Sequence, residues 1–428
     1  MSTDVTATKT DSATITKLFI MMILEIAIWG AWQVKVFSFM GASGLNFEPW
    51  QQSLAGSMFG IASLVGIFFS NQFADRNFAA EKFLAFSHLI GGIALFATAY
   101  CTTFWPFFLC FLVYGLFYVP TLSVTNSLAF AHLKNPAKEF GFVRMGGTIG
   151  WIIISWPFIF LLGAQATVTE MRWIFIVAGI VSLALAAFSL TLPHTPPRKA
   201  EGAVDNLAWI KAFKQLKHPF VLVLFIVTLL DSIIHNGYFV LIDGFLSKAV
   251  GLSENITMAI TTIGQVAEIV TMVALGTVLV KLGWKWTMII GILGHALRFA
   301  TFSFFGNSDY QALIIFIQVL HGICYAFFFA TLYIFVDEVF PKDIRTSAQG
   351  LFNLLILGVG LVIANFGFIY LKDYFTKGQG AEQVVDYFSI FLVPTALAIV
   401  AMLLLLFGFQ PPSDRPAAVG GSGSAPAH

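Results

Sequence analysis

The run ITMAITTIGQVAEIVTMVALGTVLV, Ile256 to Val280, decides the class of the chain. It exceeds the ~20 apolar residues needed to span a bilayer, yet it carries a carboxyl, Glu268, near its middle. Thr261, Gln265 and Glu268 stand at i, i+4 and i+7, so a hydroxyl, an amide and a carboxyl share one helix face. A charge at mid-membrane costs about 2.5–3.5 kcal/mol on insertion scales, so that face must turn toward protein or water. We read Gln265 and Glu268 as lining a polar cavity. The plainer alternative is a buried carboxyl that only ties two helices together.

Outward from this run the chain repeats the pattern. Of 428 residues, 58% are hydrophobic and 11% charged, and mean hydropathy is +0.85. Soluble domains carry about 25% charged residues, so the chain is a polytopic membrane protein. Twelve spans are expected, at 17–40, 52–73, 83–102, 105–131, 141–163, 171–192, 219–246, 255–280, 286–305, 310–337, 346–371 and 384–409. Residues 1–16 are expected to be a disordered cytoplasmic N-terminus, 17–193 a first six-helix half and 194–218 a cytoplasmic linker. The second half then covers 219–409, and 410–428 form a flexible Pro/Gly/Ser cytoplasmic tail. Within the linker, Leu207–Leu216 has amphipathic spacing suited to the membrane interface.

Charge placement orients the spans. With the N-terminus inside, sixteen Lys and Arg fall in inner segments and four (Arg172, Lys248, Lys372 and Lys377) in outer loops, leaving Lys35, Arg144 and Arg298 within spans. This bias puts both termini in the cytoplasm. A net charge of +1 gives no basic field for nucleic acid. Cys101, Cys110 and Cys324 lie in or beside apolar segments and point to neither a disulfide framework nor a metal site. The polar first sixteen residues run straight into a full-length span, without the pattern of a cleavable signal peptide.

The two halves echo each other. Asn71-Gln-Phe-Ala-Asp75-Arg76, with Lys82 beyond, follows span 2; Gly276-Thr-Val-Leu-Val-Lys281-Leu-Gly283-Trp-Lys285 follows span 8. Both resemble the loop signature of the major facilitator superfamily. The first keeps Ala-Asp-Arg but has Asn71 and Phe78 where glycines are usual, and the second keeps the glycines and basic residues without the aspartate. Two degenerate copies six spans apart imply an all-α major facilitator fold, twelve transmembrane helices in two pseudo-symmetric halves. The resemblance makes Asp75 and Arg76 a cytoplasmic gate.

Four further spans carry polar stripes: Glu25, Trp29 and Trp32 in span 1; Arg144, Thr148 and Trp151 in span 5; Asp231, His235 and Tyr238, with Asn236 adjacent, in span 7; and Gln318, His321 and Tyr325 in span 10. Span 4 adds Thr121 and Asn126 after Pro120. Each regular stripe joins a charge or amide to an aromatic ring, which suits a ligand with a flat apolar face and hydrogen-bonding edges. All lie on spans that border the central cavity in a facilitator fold. Gly146 and Gly150 in span 5, and Gly358 and Gly360 in span 11, are read as packing and hinge positions. The chain has no P-loop, no H-E-x-x-H and no Cys/His ligand cluster, so it is expected to be neither an enzyme nor an ATP-driven pump, to use no cofactor and to run on gradients.

Leu24-Glu-Ile-Ala-Ile-Trp-Gly-Ala-Trp32, Val119-Pro-Thr-Leu122, Arg144-Met-Gly-Gly-Thr-Ile-Gly150, Leu190-Thr-Leu-Pro-His194, Gln265-Val-Ala-Glu268, Leu297-Arg-Phe299 and Arg345-Thr-Ser-Ala-Gln-Gly350 occur in an order that resembles the bacterial nucleoside:proton symporters of that superfamily. The resemblance runs from about 17 to 409. It implies nucleoside import with protons across the cell inner membrane by a monomer in contact with lipid. The implied pocket comprises Arg144, Thr148, Trp151 (where a phenylalanine is expected), Gln265 and Glu268, with His235, Asn236 and Tyr238 from span 7 and His321 and Tyr325 from span 10. His235 and Tyr238 replace the Gln and Asn expected there. Ala326 stands where the family has an acid, and Glu25 where it has an uncharged amide, so Glu268 and Glu25 are the proton-coupling candidates. In this reading the base stacks on Trp151 and Tyr325 while Gln265 and Arg144 hydrogen-bond base or sugar. The alternatives are a transporter of another small polar-aromatic solute, a drug- or lipid-handling facilitator, and a receptor that binds without translocation.

Overall fold

A computed structural model describes residues 9–65, 78–197, 213–341, 345–378 and 384–411. Among the described residues, ten helical segments are long and apolar enough to cross a membrane. One of them, Thr257–Phe305, is 49 residues long and turns back on itself at Gly283, where φ 76° and ψ 176° interrupt the helix. That backbone conformation is open to glycine and strained for a residue with a Cβ. The run therefore supplies two spans.

The helices are α1 (Ser12–Gln33), α2 (Pro49–Gly56, resuming over 58–65), α3 (Ala80–Tyr100), α4 (Phe104–His132), α5 (Pro136–Ser155) and α6 (Val168–Ser189) in the first half. The second half has α7 (Pro219–Gly244), α8 (257–282), α9 (284–305), α10 (Ser308–Val339), α11 (Ala348–Tyr374) and α12 (Tyr387–Gly408). In the first half α1 packs on α5 and α6, and α3 on α4 and α6; in the second, α7 packs on α11 and α12, and the Thr257–Phe305 run on α10 and α12. The halves meet where α2 crosses α11 and α5 crosses α8.

Gly150 seats α5 on α1, because a Cβ there would strike the Ile23 carbonyl. Gly322 does the same between α10 and α8, where a Cβ would strike the Glu268 amide. With lipid outside, close packing of this kind and polar contacts hold helices together, since burial against a neighbour gains little over burial in lipid.

The expected boundaries shift in places. Residues 12–16 already belong to α1, capped by Asp11, whose carboxylate accepts from the Thr14 amide at 2.9 Å. Thr10 donates to Glu139 at the start of α5 from both its amide (2.9 Å) and its hydroxyl (2.6 Å). The linker begins tied down, since Glu81 on α3 is 2.7 Å from His194 Nδ1 and accepts from the Thr195 amide at 3.0 Å. The amphipathic stretch 207–216 falls mainly outside the described residues, and Gln215–Lys217 forms a 3₁₀ turn. Between α11 and α12 the chain forms a two-residue antiparallel pairing, Thr376–Lys377 with Val384–Val385. The first loop signature, with the gate residues Asp75 and Arg76, lies outside the described residues.

At the ends of α1 and α7 the two halves are joined by buried charge. Lys35, fully buried, donates from Nζ to both Asp243 oxygens at 2.9 and 3.1 Å and lies 3.8 Å from Glu254. The hydroxyls of Ser38 and Thr257 also donate to Asp243. Beside this cluster the Glu254 amide donates to the Ala164 carbonyl at 3.0 Å, and Asn255 Nδ2 to the Ile159 carbonyl at 3.0 Å. Removing one partner of a buried pair strands the other charge, at about 3–5 kcal/mol, whereas removing both is often near neutral. Asp243→Ala should therefore lower the thermal stability of the purified protein sharply, and Lys35→Met combined with Asp243→Asn much less. Equal losses in the two proteins would show that the ammonium is not confined there.

Candidate substrate and proton site

Between the halves lies a cavity of about 200 Å3 lined from both sides. The first half contributes Glu25, Trp29 and Gln33 from α1, Asn126 from α4, and Arg144, Thr148 and Trp151 from α5. The second half contributes His235, Asn236 and Phe239 from α7, Gln265 and Glu268 from α8, His321, Tyr325, Phe329 and Tyr333 from α10, and Asn353 from α11. Arg144, Thr148, Trp151, His235, Asn236, Gln265, Glu268, His321, Tyr325 and Glu25, expected from sequence far apart in the chain, thus meet around one space. Helix spacing explains each local cluster: Arg144, Thr148 and Trp151, like Gln265 and Glu268, lie three or four residues apart and so on one face. The α5–α8 crossing then sets the first set against the second, so that Arg144 and Thr148 line the same space as Gln265 and Glu268.

Tyr238 is placed differently from the sequence expectation. It is buried behind the wall, 1% exposed, donates to Gln318 Oε1 at 2.9 Å, and has the Arg298 guanidinium 4.3 Å from its ring centroid. Gln318 is turned away from the cavity too, because α10 is interrupted at Ile317–Gln318 and its amide donates to the Ile314 carbonyl at 3.2 Å. Trp32 packs inside the first half, donating to the Tyr114 hydroxyl at 3.1 Å.

The aromatic wall has an arrangement of its own. Trp151 sits edge-to-face with Trp29 at 5.8 Å and tilted against Phe239 at 5.9 Å. A Cβ at Gly30 would lie 3.1 Å from its ring, so α1 already covers part of one indole face. Trp151 is 8% exposed, while Tyr325 is half-buried. Trp151 Nε1, His235 Nδ1 and Gln265 Oε1 are buried and, among the described residues, have no hydrogen-bond partner. Buried polar atoms left unpaired cost about 1–3 kcal/mol each, which a ligand bearing matching donors and acceptors would recover. Asn236 is partly engaged, donating to the Ser232 carbonyl at 2.8 Å.

Glu25 is 1% exposed. It accepts from the Thr121 hydroxyl at 2.7 Å and pairs with His88 Nε2 at 2.9 Å. Its environment is therefore built, and Thr121, noted in the sequence without a role, is part of it.

The sequence reading missed Gln33, Tyr333 and Asn353. Tyr325, Phe329 and Tyr333 are spaced by four, and a regular helix would rotate that series about 40° per step at 3.6 residues per turn. A π-helical turn over Tyr325–Ala330 widens the local turn and changes which residues follow Tyr325 around the wall; such turns recur at functional sites. A second one over Leu354–Val359 begins just after Asn353, which accepts a hydrogen bond from the Tyr333 hydroxyl.

Residues 12–414 match the family model described as nucleoside H+ symporter. The chain belongs to this family. Among relatives of these symporters, the putative nucleoside transporter YegT of Escherichia coli (strain K12) is 31% identical over 403 residues, spanning 92% of this chain and 93% of that protein. The xanthosine permease of the same organism is 26% identical, over 92% of this chain and 95% of that protein. A crystal structure of a mutant of nucleoside transporter NupG superposes with a TM-score of 0.81 at 25% identity, covering 93% of this chain and all of that one. The symporter thus has the major facilitator fold, and it is a multi-pass membrane transporter and not an enzyme.

Proposed function

We propose that this symporter imports nucleosides by proton symport through alternating access at the central cavity. The observation that carries the reading is the opposition of Arg144 and Thr148 on one half to Gln265 and Glu268 on the other, inside a family of proton-linked nucleoside carriers. A site shared by two halves that rock against each other can bind from one side and release to the other. Arg144 and Gln265 are assigned to the hydrogen-bonding edges of the nucleoside, Tyr325 and Trp151 to its flat face, and His235, Asn236 and His321 to the second-half wall. Tyr238 is assigned to holding that wall from behind.

Glu268 is the first proton carrier in this scheme. Ionised, it lies in the field of Arg144; protonated, it leaves the guanidinium free for substrate and lowers the cost of occluding the site. Glu25 is the second candidate, held by His88 and Thr121. The charge bias of the loops supports an inner-membrane protein with both termini in the cytoplasm, and the scheme needs one copy of the chain.

Counterflow of labelled nucleoside into proteoliposomes tests the function. Trans-stimulated uptake that an inward proton gradient drives uphill is the expected result. Binding without counterflow would mean a receptor, and counterflow of lipid-like drugs in preference to nucleosides would mean a different facilitator. Arg144→Lys should impair uptake despite keeping the charge, because only a guanidinium offers planar, multi-donor geometry. Near-normal affinity in Arg144→Lys would reduce Arg144 to a point charge.

A further inference from the structure

Behind the second-half wall lies a chain of buried ionisable groups that the site above does not use. Arg298 on α9 is fully buried. Its Nη1 lies 2.6 Å from His321 Nδ1 and its Nη2 3.2 Å from His295 Nδ1. A guanidinium can only donate, so both Nδ1 atoms accept and both rings carry their proton on Nε2. A second proton on either ring would have to sit on the nitrogen that already faces Arg298. The two imidazoles are thereby held neutral.

His295 Nε2 faces Asp231 Oδ1 on α7 at 3.5 Å. Asp231 is fully buried, and among the described residues no group donates a hydrogen bond to either carboxylate oxygen. The titratable groups around it are His295 and Arg298 from α9, His321 and Cys324 from α10, and His235 on its own helix. His235 stands one turn further along α7, lines the cavity, has no partner for Nδ1 among the described residues, and stacks on His321 at 4.9 Å. It is the one imidazole of the three that Arg298 does not hold by a hydrogen bond.

The first half offers a counterpart for comparison. Glu25 on α1 pairs with His88 on α3, as Asp231 on α7 faces His295 on α9, and these helices correspond in the two six-helix halves. Glu25 accepts from Thr121, whereas among the described residues nothing donates to Asp231. A buried carboxylate without donors is costly when ionised, and that asymmetry singles out Asp231 as the group that gains most from a proton.

We propose that Asp231 is a second proton-binding carboxyl of the transport cycle, loaded from the central cavity by way of His235, with Arg298 fixing His295 and His321 as neutral, orienting rings. One proton adds to a carboxylate oxygen and no other bond changes, so the Asp231–Arg298 cluster passes from net zero to net +1. Substrate seated against His235 and His321 closes the proton route while it occupies the cavity, which couples the two. The inference rests on the proton-symport reading.

The test is the number of protons taken up per nucleoside, read by an enclosed pH dye in proteoliposomes of wild type, Asp231→Asn and Asp231→Glu. The count should fall by one in Asp231→Asn, with counterflow retained, and should be preserved in Asp231→Glu. An unchanged count in Asp231→Asn would overturn the assignment while leaving symport intact. A wild type that moves no protons with nucleoside would overturn symport itself and the assignment with it. If Asp231→Asn does not fold, infrared difference spectra decide. On acidification, wild type should gain a carboxylic C=O band that shifts in Asp231→Glu, and a band at the same position in both proteins would reject Asp231.

Discussion

Glu268→Gln transporters should bind and exchange nucleoside but accumulate it far less than wild type. The amide fills the same space opposite Arg144 and Thr148, and it imitates the protonated acid permanently. Exchange needs only the loaded, neutral site and so survives. Uphill accumulation needs the proton to leave, and an amide cannot release one. One coupled charge moving through a potential of about 100 mV is worth about 2.3 kcal/mol, which corresponds to roughly fortyfold in the limiting accumulation ratio at about 1.4 kcal/mol per decade. The comparison is made in one preparation of proteoliposomes, with counterflow as the internal standard. Unchanged uphill uptake would remove Glu268 from the coupling mechanism and turn attention to Glu25 and Asp231.

The second large effect concerns Trp151 and the ligand class. Base stacking on an aromatic ring contributes about 1–3 kcal/mol in nucleic-acid sites, so Trp151→Ala should weaken nucleoside binding roughly ten- to hundredfold. Packing sharpens this expectation. Trp151 also separates Trp29 from Phe239, and its ring rests on Gly30, so Trp151→Phe should retain most of the wall and lose much less affinity. Ribose, with no base to stack, should bind weakly to wild type and respond little to either change. Titration calorimetry of a nucleoside and of ribose on the three proteins separates the cases. Equal losses for both ligands would leave Trp151 as a wall residue and shift the stacking role to Tyr325, whose ring is the more open of the two.

How much of this could be read from the chain follows from the range of each interaction. The bilayer imposes a span length and the charge rule imposes an orientation, and both act on contiguous residues, so the spans around Glu25, Arg144, Asp231, Gln265 and Gln318 are legible from composition alone. The cost of a polar group in hydrocarbon likewise marks its face, which is why Arg144, Thr148, Gln265 and Glu268 could be chosen before any helix was placed. The family likeness of the local motifs added the class of substrate.

What tertiary structure decided lies one step beyond a single helix. Helix period gives Tyr238 and His235 the same face, but only the packing of α7 against α9 and α10 sends Tyr238 to Gln318 and Arg298 while His235 stays at the cavity. The interruption at Gln318 and the π turn after Tyr325 change the turn width, and with it which residues of α10 share a face. Lys35 and Asp243, over two hundred residues apart, and His295 between Arg298 and Asp231, are juxtapositions that no local pattern announces. A charge in a span reveals that it must have a partner, because an isolated one is too costly. Which partner it has depends on how the helices cross, and that is fixed by close approaches such as Gly150 on Ile23 and Gly322 on Glu268, where two backbones meet with no side chain between them.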